Sequence, residues 1–295
     1  MKIMDKSLIS LLAGLGGMFG WGTADFFAGE AVQKAGNLKT FFWVQVFGLA
    51  ANLVFLAFNW PSSLNITPNL IVLILSACLA YFFGYQIFYK AFSVGELSIV
   101  SPIVTSYAVF SVLVSFFVFH QPLKAIQLLS IATVIVGVVL VSVDFSKVKH
   151  RLSLTLTPGV KEALTAAVFF GLVFWPLNEY VSERFDWILF NVIIKVAAIL
   201  MFILLSPFFY KTVKVLEISK GIWRLLILAG FLDLFGFLSV TFGISRADAI
   251  LVIPISSAFS VVTVILAKIF LKEKTTFTQG CGIALTIFGI ILTGI

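Results

Sequence analysis

Charged residues are scarce in this sequence: Asp, Glu, Lys and Arg together make up 11% of its 295 residues, whereas hydrophobic residues make up 61%. An average soluble domain has about 25% charged residues. So few charges cannot cover the surface of a water-soluble monomer. Intrinsic disorder is excluded as well, because it requires low hydrophobicity. The composition therefore predicts a membrane protein with several spans, surrounded mainly by the lipid bilayer.

Cysteine and histidine are equally rare, with two residues of each. Cys78 and Cys281 fall inside apolar runs, where we expect small apolar residues rather than a disulfide or a metal pair. His120 and His150 stand at the edges of runs and cannot form a zinc site alone. No Gly-Lys pair occurs in the chain, which excludes a P-loop and direct coupling to ATP. We expect neither a cofactor nor a resident metal.

The net charge of +7 does not indicate a nucleic-acid partner. Nearly all lysines and arginines lie in short loops between apolar runs, so no basic stripe could follow a phosphate backbone. Cations placed in such loops bear on membrane orientation and on contacts with anionic headgroups. The sequence predicts contact with a lipid bilayer and none with nucleic acid.

Ten apolar runs are long enough to span the hydrocarbon, which takes about 20 helical residues. The runs cover residues 8–29, 40–59, 69–91, 98–119, 124–143, 161–182, 187–206, 222–244, 247–271 and 276–295. None of them shows the alternation of apolar and polar residues that is typical of a transmembrane barrel strand. We therefore predict an all-α membrane protein with ten transmembrane helices.

The two halves of the chain resemble each other. Residues 91–143 align without a gap on residues 243–295, with 12 identities in 53 positions. This offset of 152 places Pro102 on Pro254. It also places Tyr81 on Asp233 in the preceding helices.

The repeat divides the chain into two predicted domains, residues 1–145 and residues 146–295, with five helices each. Because five is odd, the two halves must have opposite orientations in the bilayer. Secondary transporters with inverted repeats have their substrate site near the midplane, between the halves.

Each half ends in a similar pattern: a proline that begins a helix, a polar cap, and then a glutamine and glycines in the last helix. In the second half these residues are Pro254, Glu273, Gln279, Gly282 and Gly289. In the first half they are Pro102, Gln121, Gln127 and Gly137. The first run also contains Trp21-Gly22-Thr23-Ala24-Asp25-Phe26.

This pattern resembles the drug/metabolite transporter superfamily, in its ten-helix branch of paired EamA domains. The resemblance implies two inverted five-helix EamA-like repeats in a multi-pass protein of the cell membrane. It also implies secondary transport of a small polar metabolite, with export of amino acids or related compounds favoured. Gln121 stands where the family pattern has a glutamate, so no role for a carboxylate is expected there.

Ionisable residues inside membrane spans are costly and often functional. The candidates are Asp25, Glu179, Lys195, Asp233 and Lys268. The helical rise of about 1.5 Å per residue places Lys195 and Asp233 at nearly equal depth, so the two could pair. They could line a substrate cavity together with Glu179, or they could form an ion pair that only joins two helices.

The same acidic residues are candidates for proton coupling. Asp233, Glu179 and Asp25 could each bind a proton within the membrane, but Asp25 and Glu179 could equally be interfacial residues without a role in transport. Lys268 lies late in its run, where we expect its amine to extend toward the membrane surface.

The third run supplies further candidates for substrate binding. Tyr81, Tyr85 and Tyr89 share one helix face at four-residue spacing, and Gln86 lies beside them. Tyrosine suits a metabolite pocket because it combines an apolar ring with a polar tip. A belt of aromatic residues at the membrane interface is the alternative, and Tyr89 fits it best.

Prolines inside runs mark possible hinges or cavity walls. Trp175-Pro176 lies inside the sixth run with Asn178 just beyond it, and a proline there frees a backbone carbonyl. Trp175 and Asn178 are therefore candidates for substrate binding, and Pro176 for a hinge, although a simple packing kink is equally consistent. Pro102 and Pro254 occupy matching positions in the two halves, which favours a hinge or cavity wall there too.

A secondary transporter that works by alternating access, with or without protons, is the function the sequence favours, and it could act as a monomer or a homodimer. The alternative is a membrane-embedded enzyme that acts on lipid-linked substrates. Such an enzyme needs a cluster of nucleophile, base or metal ligands, and the sequence has no histidine within a span. We therefore do not expect an enzyme.

Overall fold

The protein is almost entirely helical. A computed structural model describes residues 6–61, 66–118, 125–142, 156–182, 184–209, 213–246, 252 and 255–292. The helices are α1 (Lys6–Ala35), α2 (Asn37–Phe58), α3 (Pro68–Val94), α4 (Leu97–Thr105), α5 (Tyr107–Phe117), α6 (Ala125–Ser142), α7 (Val160–Phe169), α8 (Trp175–Ser182), α9 (Trp187–Phe209), α10 (Ile222–Arg246), α11 (Phe259–Leu266) and α12 (Phe277–Leu292). No β-strand element occurs in these parts of the chain.

Ten apolar helical segments account for the described chain, which confirms the predicted fold class. Five are long and apolar enough to cross a membrane: Asn37–Phe58, Pro68–Val94, Val160–Ser182, Trp187–Phe208 and Ile222–Arg246. Four shorter apolar segments are Leu97–Ser111, Leu128–Val141, Ile255–Leu271 and Phe277–Leu292. The tenth is α1, which is 30 residues long.

The fourth predicted span, 98–119, is not one continuous helix. It breaks at Ser106, between α4 and α5. Pro102 lies inside α4 and has no N–H to donate, which weakens the helical ladder there. Two hydroxyls stabilise the break: Thr105 donates to the Pro102 carbonyl at 2.9 Å, and Ser106 donates to the Ile103 carbonyl at 2.6 Å.

The sixth predicted span contains a π-helical turn, Phe170–Phe174, between α7 and α8. Pro176 lies two residues beyond this turn, in the first turn of α8, and cannot donate a hydrogen bond to the carbonyl four residues earlier. The wider π-helical turn accommodates this missing hydrogen bond. A second π-helical segment, Ala267–Leu271, ends the ninth span. Segments of this kind are often found at functional sites.

Reciprocal contacts between α6 and α12 reveal an approximate two-fold relation between the halves. A Cβ at Gly137 would lie 2.5 Å from the backbone nitrogen of Thr286, and one at Gly289 would lie 2.9 Å from that of Val134. Under the repeat offset of 152, Gly137 corresponds to Gly289 and Val134 corresponds to Thr286. The same contact is therefore made twice with the halves exchanged, as at a two-fold interface.

Helix α1 crosses to the second half and packs closely on α10. A Cβ at Gly20 would lie 2.6 Å from the backbone nitrogen of Gly236, so the two helix backbones nearly touch. Small residues permit this approach in membrane helix pairs. The packing holds the next turn of α1, with Trp21 and Asp25, against the second half of the chain.

Candidate functional site

A network of buried polar side chains lies where four helices meet. Lys195 Nζ donates to Asp233 Oδ2 at 2.8 Å, and both side chains are at most 8% exposed. Gln45 Oε1 accepts from Lys195 Nζ at 3.4 Å and from the Tyr81 hydroxyl at 3.1 Å. The Tyr85 hydroxyl donates to Asp233 Oδ1 at 3.4 Å. The pair proposed from helix depth is thus in contact, and three further polar groups surround it.

Both halves contribute to this polar network. Gln45 lies on α2 and Tyr81 on α3, while Lys195 lies on α9 and Asp233 on α10. These are the second and third spans of each half, so a neutral hydrogen bond in the first half faces an ionic one in the second. Gly48 leaves room for the lysine, because a Cβ there would lie 2.9 Å from Lys195 Nζ.

A cavity of about 30 Å³ lies beside the polar network. It has room for about two water molecules, since one needs at least 10–15 Å³ of such space. Eight of its ten lining residues are aromatic. From the first half these are Trp21, Tyr85, Phe88 and Tyr107. From the second half they are Phe170, Phe174, Trp175 and Phe259.

Asp25 is the one charged residue that lines this aromatic cavity, and Val104 completes the lining. Asp25 is 8% exposed, and its Oδ2 atom has no hydrogen-bond partner in the part of the chain that the structure describes. Asp233 is close enough to interact electrostatically with the Asp25 carboxyl group. Tyr85 lines the cavity and also donates to Asp233, so it connects the cavity with the polar network.

The two tryptophans of the cavity each contact an aromatic ring from the opposite half. Trp21 lies 5.9 Å from Phe259 between ring centroids, and Trp175 stacks on Tyr107 at 5.6 Å. Under the repeat offset of 152, Tyr107 corresponds to Phe259. The two tryptophans also contact each other edge to face at 5.4 Å. The aromatic wall therefore follows the two-fold relation and crosses the boundary between the halves.

Several predicted substrate residues lie outside the cavity lining. Gln86 and Asn178 are both buried, and their side-chain amide atoms have no partner among the described residues. Lys195 is 1% exposed and is not among the residues that line the cavity. Glu179 is partly exposed and does not line the cavity.

The tyrosines of α3 are buried inside the helix bundle. Tyr81 is fully buried, and Tyr89 is 2% exposed and packs on Phe41. The interfacial belt therefore does not describe Tyr89, because neighbouring helices cover the face of α3 that carries it. The interfacial interpretation does not describe Asp25 either, because the second half of the chain covers this end of α1.

The candidate hinges are partly described. Pro102 is buried inside α4 and adjoins the break at Ser106, and Pro176 adjoins the π-helical turn. Pro254 lies outside the described residues, as does Gln121. Lys268 is exposed, in agreement with an amine that extends outward.

Cys78 and Cys281 are free thiols, Cys78 buried and Cys281 half-buried. Within the described ranges, no three His, Cys, Asp or Glu residues form a group that could hold a metal ion.

Sequence reasoning missed Gln45 and most of the cavity aromatics, among them Tyr107 and Phe259. An amide in the middle of an apolar run is a signal of the same kind as a charge, and it could have singled out Gln45. The repeat offset could have paired Tyr107 with Phe259. Phe88, by contrast, is one of 33 phenylalanines, and nothing in the sequence distinguishes it from the others.

The geometry defines a multi-pass membrane protein of two inverted helical repeats with a small cavity between them. The chain belongs to the EamA-like transporter family, whose model matches it twice, over residues 8–143 and 157–295. It is accordingly a transporter-family protein of the drug/metabolite transporter superfamily, located in the cell membrane.

Two archaeal proteins are similar to the chain. An uncharacterized protein of Methanocaldococcus jannaschii is 34% identical over 135 residues, which cover 45% of this chain and 93% of that protein. An uncharacterized transporter of Archaeoglobus fulgidus is 27% identical over 236 residues, or 79% of each chain. A solved crystal structure matches 96% of this chain and 95% of its own with a TM-score of 0.64; its 15% sequence identity bears on the fold alone.

Proposed function

We propose that this protein is a secondary transporter that moves a small polar metabolite across the membrane by alternating access. An amino acid or a related compound is the proposed substrate class, and export is the proposed direction. The two halves, residues 1–145 and 146–295, are the proposed moving units. The observation that carries this proposal is the cavity lined by both halves, since substrate sites of inverted-repeat transporters lie between the repeats.

The size of the cavity supports a cycle with an occluded state. About 30 Å³ is far below the 300–1,000 Å³ of typical ligand pockets. A metabolite would therefore need the two halves to separate around the aromatic wall. The break at Ser106 and the π-helical turn Phe170–Phe174 are the proposed flexible points, because both interrupt regular helix beside the cavity lining.

A contact between the halves closes the structure at one face. Glu273, in the loop before α12, accepts hydrogen bonds from the backbone N–H groups of Leu97 at 3.0 Å and Ser98 at 2.8 Å. These N–H groups begin α4 and have no partner within the helix. We assign Glu273 the role of a latch that must release when this face opens.

Proton coupling is the proposed energy source, with Asp25, Asp233 and Glu179 as the candidate carriers. Asp25 is the best placed of the three, because it lines the cavity and its Oδ2 atom has no partner among the described residues. The carboxylate of Asp233 already accepts hydrogen bonds from Lys195 and Tyr85.

Membership of a transporter family supports transport over the alternative of an enzyme that acts on lipid-linked substrates. One chain has both repeats, so a monomer can form a complete pathway, and a homodimer is not required.

Transport into proteoliposomes tests the proposed function. The purified protein is reconstituted and supplied with radiolabelled amino acids and related metabolites, with and without a pH gradient. We expect saturable uptake of at least one class that rises when the gradient is imposed. Empty liposomes and the variant Gly137→Leu, which cannot close the α6–α12 contact, are the controls. Equal uptake by liposomes with and without the protein across the whole panel would contradict the proposal.

A further inference from the structure

The buried charges around the cavity do not cancel. Three side chains of the Asp, Glu, Lys and Arg types are buried in the described parts of the chain: Asp25, Lys195 and Asp233. Lys195 and Asp233 neutralise each other at 2.8 Å. Among the described residues, Asp25 is left as a carboxyl group that forms no ion pair with a lysine or arginine. An uncompensated charge in a low-dielectric interior is so costly that a proton or a cation must neutralise it.

The surroundings of Asp25 are those of a cation site. Eight aromatic residues line the same cavity, and aromatic faces attract cations through their negative quadrupole. Trp21 and Trp175 lie with their ring centroids 5.4 Å apart. The cavity lining contains no lysine, arginine or histidine that could attract an anion, and its one buried N–H without a partner among the described residues is Trp21 Nε1. The ammonium of Lys195 is already bound by Asp233 and Gln45.

We propose that this cavity binds the ammonium group of the transported molecule, with Asp25 as its counter-ion and Trp21 and Trp175 as its aromatic walls. This inference rests on the proposed transport function and narrows its substrate class to organic amines, including amino acids bound through their amino group. Lys195 and Asp233 then do not contact the substrate; they hold Tyr85 and the surrounding helices in place.

The volume of the cavity agrees with this assignment. About 30 Å³ is enough for about two waters, and an ammonium group is similar in size to one water. The head group fits the cavity as it stands, while the body of the molecule needs the space created when the halves separate.

Binding of an ammonium ion should displace a proton. Without a cation, the Asp25 carboxyl is neutralised by a proton, and an arriving ammonium takes over that role while the proton leaves to solvent. The ionisable groups that interact electrostatically with Asp25 are Asp233, Tyr85, Tyr89 and Tyr107. Asp233 is paired with Lys195, and a tyrosine hydroxyl, with an ordinary pKa of about 10, is neutral at pH 7. The released proton therefore comes from Asp25.

Isothermal titration calorimetry on the purified protein in detergent tests the assignment with three probes that share one aromatic body. Phenethylamine carries an ammonium, 2-phenylethanol is neutral and 3-phenylpropionate carries a carboxylate. We expect phenethylamine to bind at least tenfold more tightly than the other two. Titrations in buffers with different ionisation enthalpies should show release of about one proton per phenethylamine bound. Equal affinities for the three probes would overturn the proposal.

Asp25→Asn is the decisive variant, and Glu30→Gln is its matched control. Both remove one carboxylate from α1, but Glu30 pairs with Lys34 near the end of the helix, away from the cavity. We expect Asp25→Asn to weaken phenethylamine binding by tenfold to a hundredfold, the usual range for a hydrogen bond between charged groups, and to abolish proton release. Asp25→Glu should restore both, and Glu30→Gln should change neither.

The outcomes separate this inference from the proposed function. Charge-selective binding that depends on Asp25, found without transport of any metabolite, would sustain the cation site and contradict the transport proposal. Transport that is unaffected by Asp25→Asn would sustain the transporter and overturn the cation site. Circular dichroism and size-exclusion profiles identify a misfolded variant. If Asp25→Asn misfolds, the affinities of the wild-type protein for the three probes and its proton release still decide the proposal.

Discussion

Lys195 and Asp233 form an ion pair that is almost completely buried, with 2.8 Å between Nζ and Oδ2. The pair joins α9 to α10, and Gln45 and Tyr85 occupy further hydrogen-bonding positions around it. These hydrogen bonds add to the stabilisation of the pair in a low-dielectric interior. The removal of one partner leaves the other as an isolated buried charge.

We therefore expect each single variant, Lys195→Met or Asp233→Leu, to lower the free energy of unfolding by about 3–5 kcal/mol. The double variant should lose much less of its free energy of unfolding, since it leaves no isolated buried charge. Thermal unfolding in detergent measures all three. If the double variant is as unstable as the sum of the singles, the two residues are not coupled and the pair has been misassigned.

The latch contact makes a second prediction. Glu273→Ala removes the acceptor of the Leu97 and Ser98 N–H groups, and the loss of a helix cap costs about 1 kcal/mol. Hydrogen exchange of these two amides should become about fivefold faster. Glu217→Gln is the control, because Glu217 pairs with Lys214 in an exposed loop far along the chain. Unchanged exchange at α4 in Glu273→Ala would show that the contact does not protect this helix end.

The connection between α3 and α4 should give a pH-dependent stability. Burial and, secondarily, the charge of Glu273 raise the pKa of Glu96. A raised carboxyl pKa means that the folded protein holds the proton more tightly than the unfolded chain. The stability from this group is complete below the ordinary glutamate pKa of about 4.3 and is lost as the pH rises through the raised value.

Glu96→Gln removes this unfavourable ionisation. We expect the variant to melt at a higher temperature than the wild type at pH 7, with the difference disappearing near pH 4. Paired melting curves across this range measure the effect, and Glu217→Gln again serves as the control carboxylate. A difference that is constant with pH would assign the stabilisation to something other than the charge of Glu96.

Two glycines on α12 should respond oppositely to the same substitution. A Cβ at Gly282 would lie 2.7 Å from the backbone nitrogen of Val141, whereas one at Gly280 would meet nothing within 4 Å. Gly282→Ala should lower the free energy of unfolding by about 1–3 kcal/mol through overpacking. Gly280→Ala should be neutral or stabilise by up to about 1 kcal/mol through helix propensity. Melting temperatures decide the matter, and equal shifts would rule out a tight α6–α12 contact.

The fold could be predicted from the sequence because long apolar runs in lipid have few alternatives to a helix. The offset of 152 also indicated inversion, since each repeat contains an odd number of spans. The breaks inside spans were harder to foresee. Pro102 and Pro176 marked their neighbourhoods, but the split at Ser106 depends on two hydroxyls that compete with the backbone for carbonyls.

The site was predicted only in part. Charged residues in an apolar span are conspicuous, so Lys195, Asp233 and Asp25 could be found directly. The distinction between a buried pair and a cavity group could not be made, because it depends on which neighbouring helix covers each residue. Phe88 and Phe170 could not be distinguished from other phenylalanines, since an aromatic ring in a core and one in a cavity wall have the same sequence signature.

The ion pair occurs in one half only. Where α9 and α10 carry Lys195 and Asp233, α2 and α3 carry Gln45 and Tyr81. Two identical repeats would give inward-open and outward-open conformers of equal energy, related by the two-fold axis. A pair of full charges on one side of that axis makes the energies of the two conformers unequal. Opening one face of the protein would expose the pair to water to a different extent than opening the other face. Under the proposed alternating access, we therefore expect the empty protein to prefer one of the two conformers, set by its own residues before any gradient acts on it.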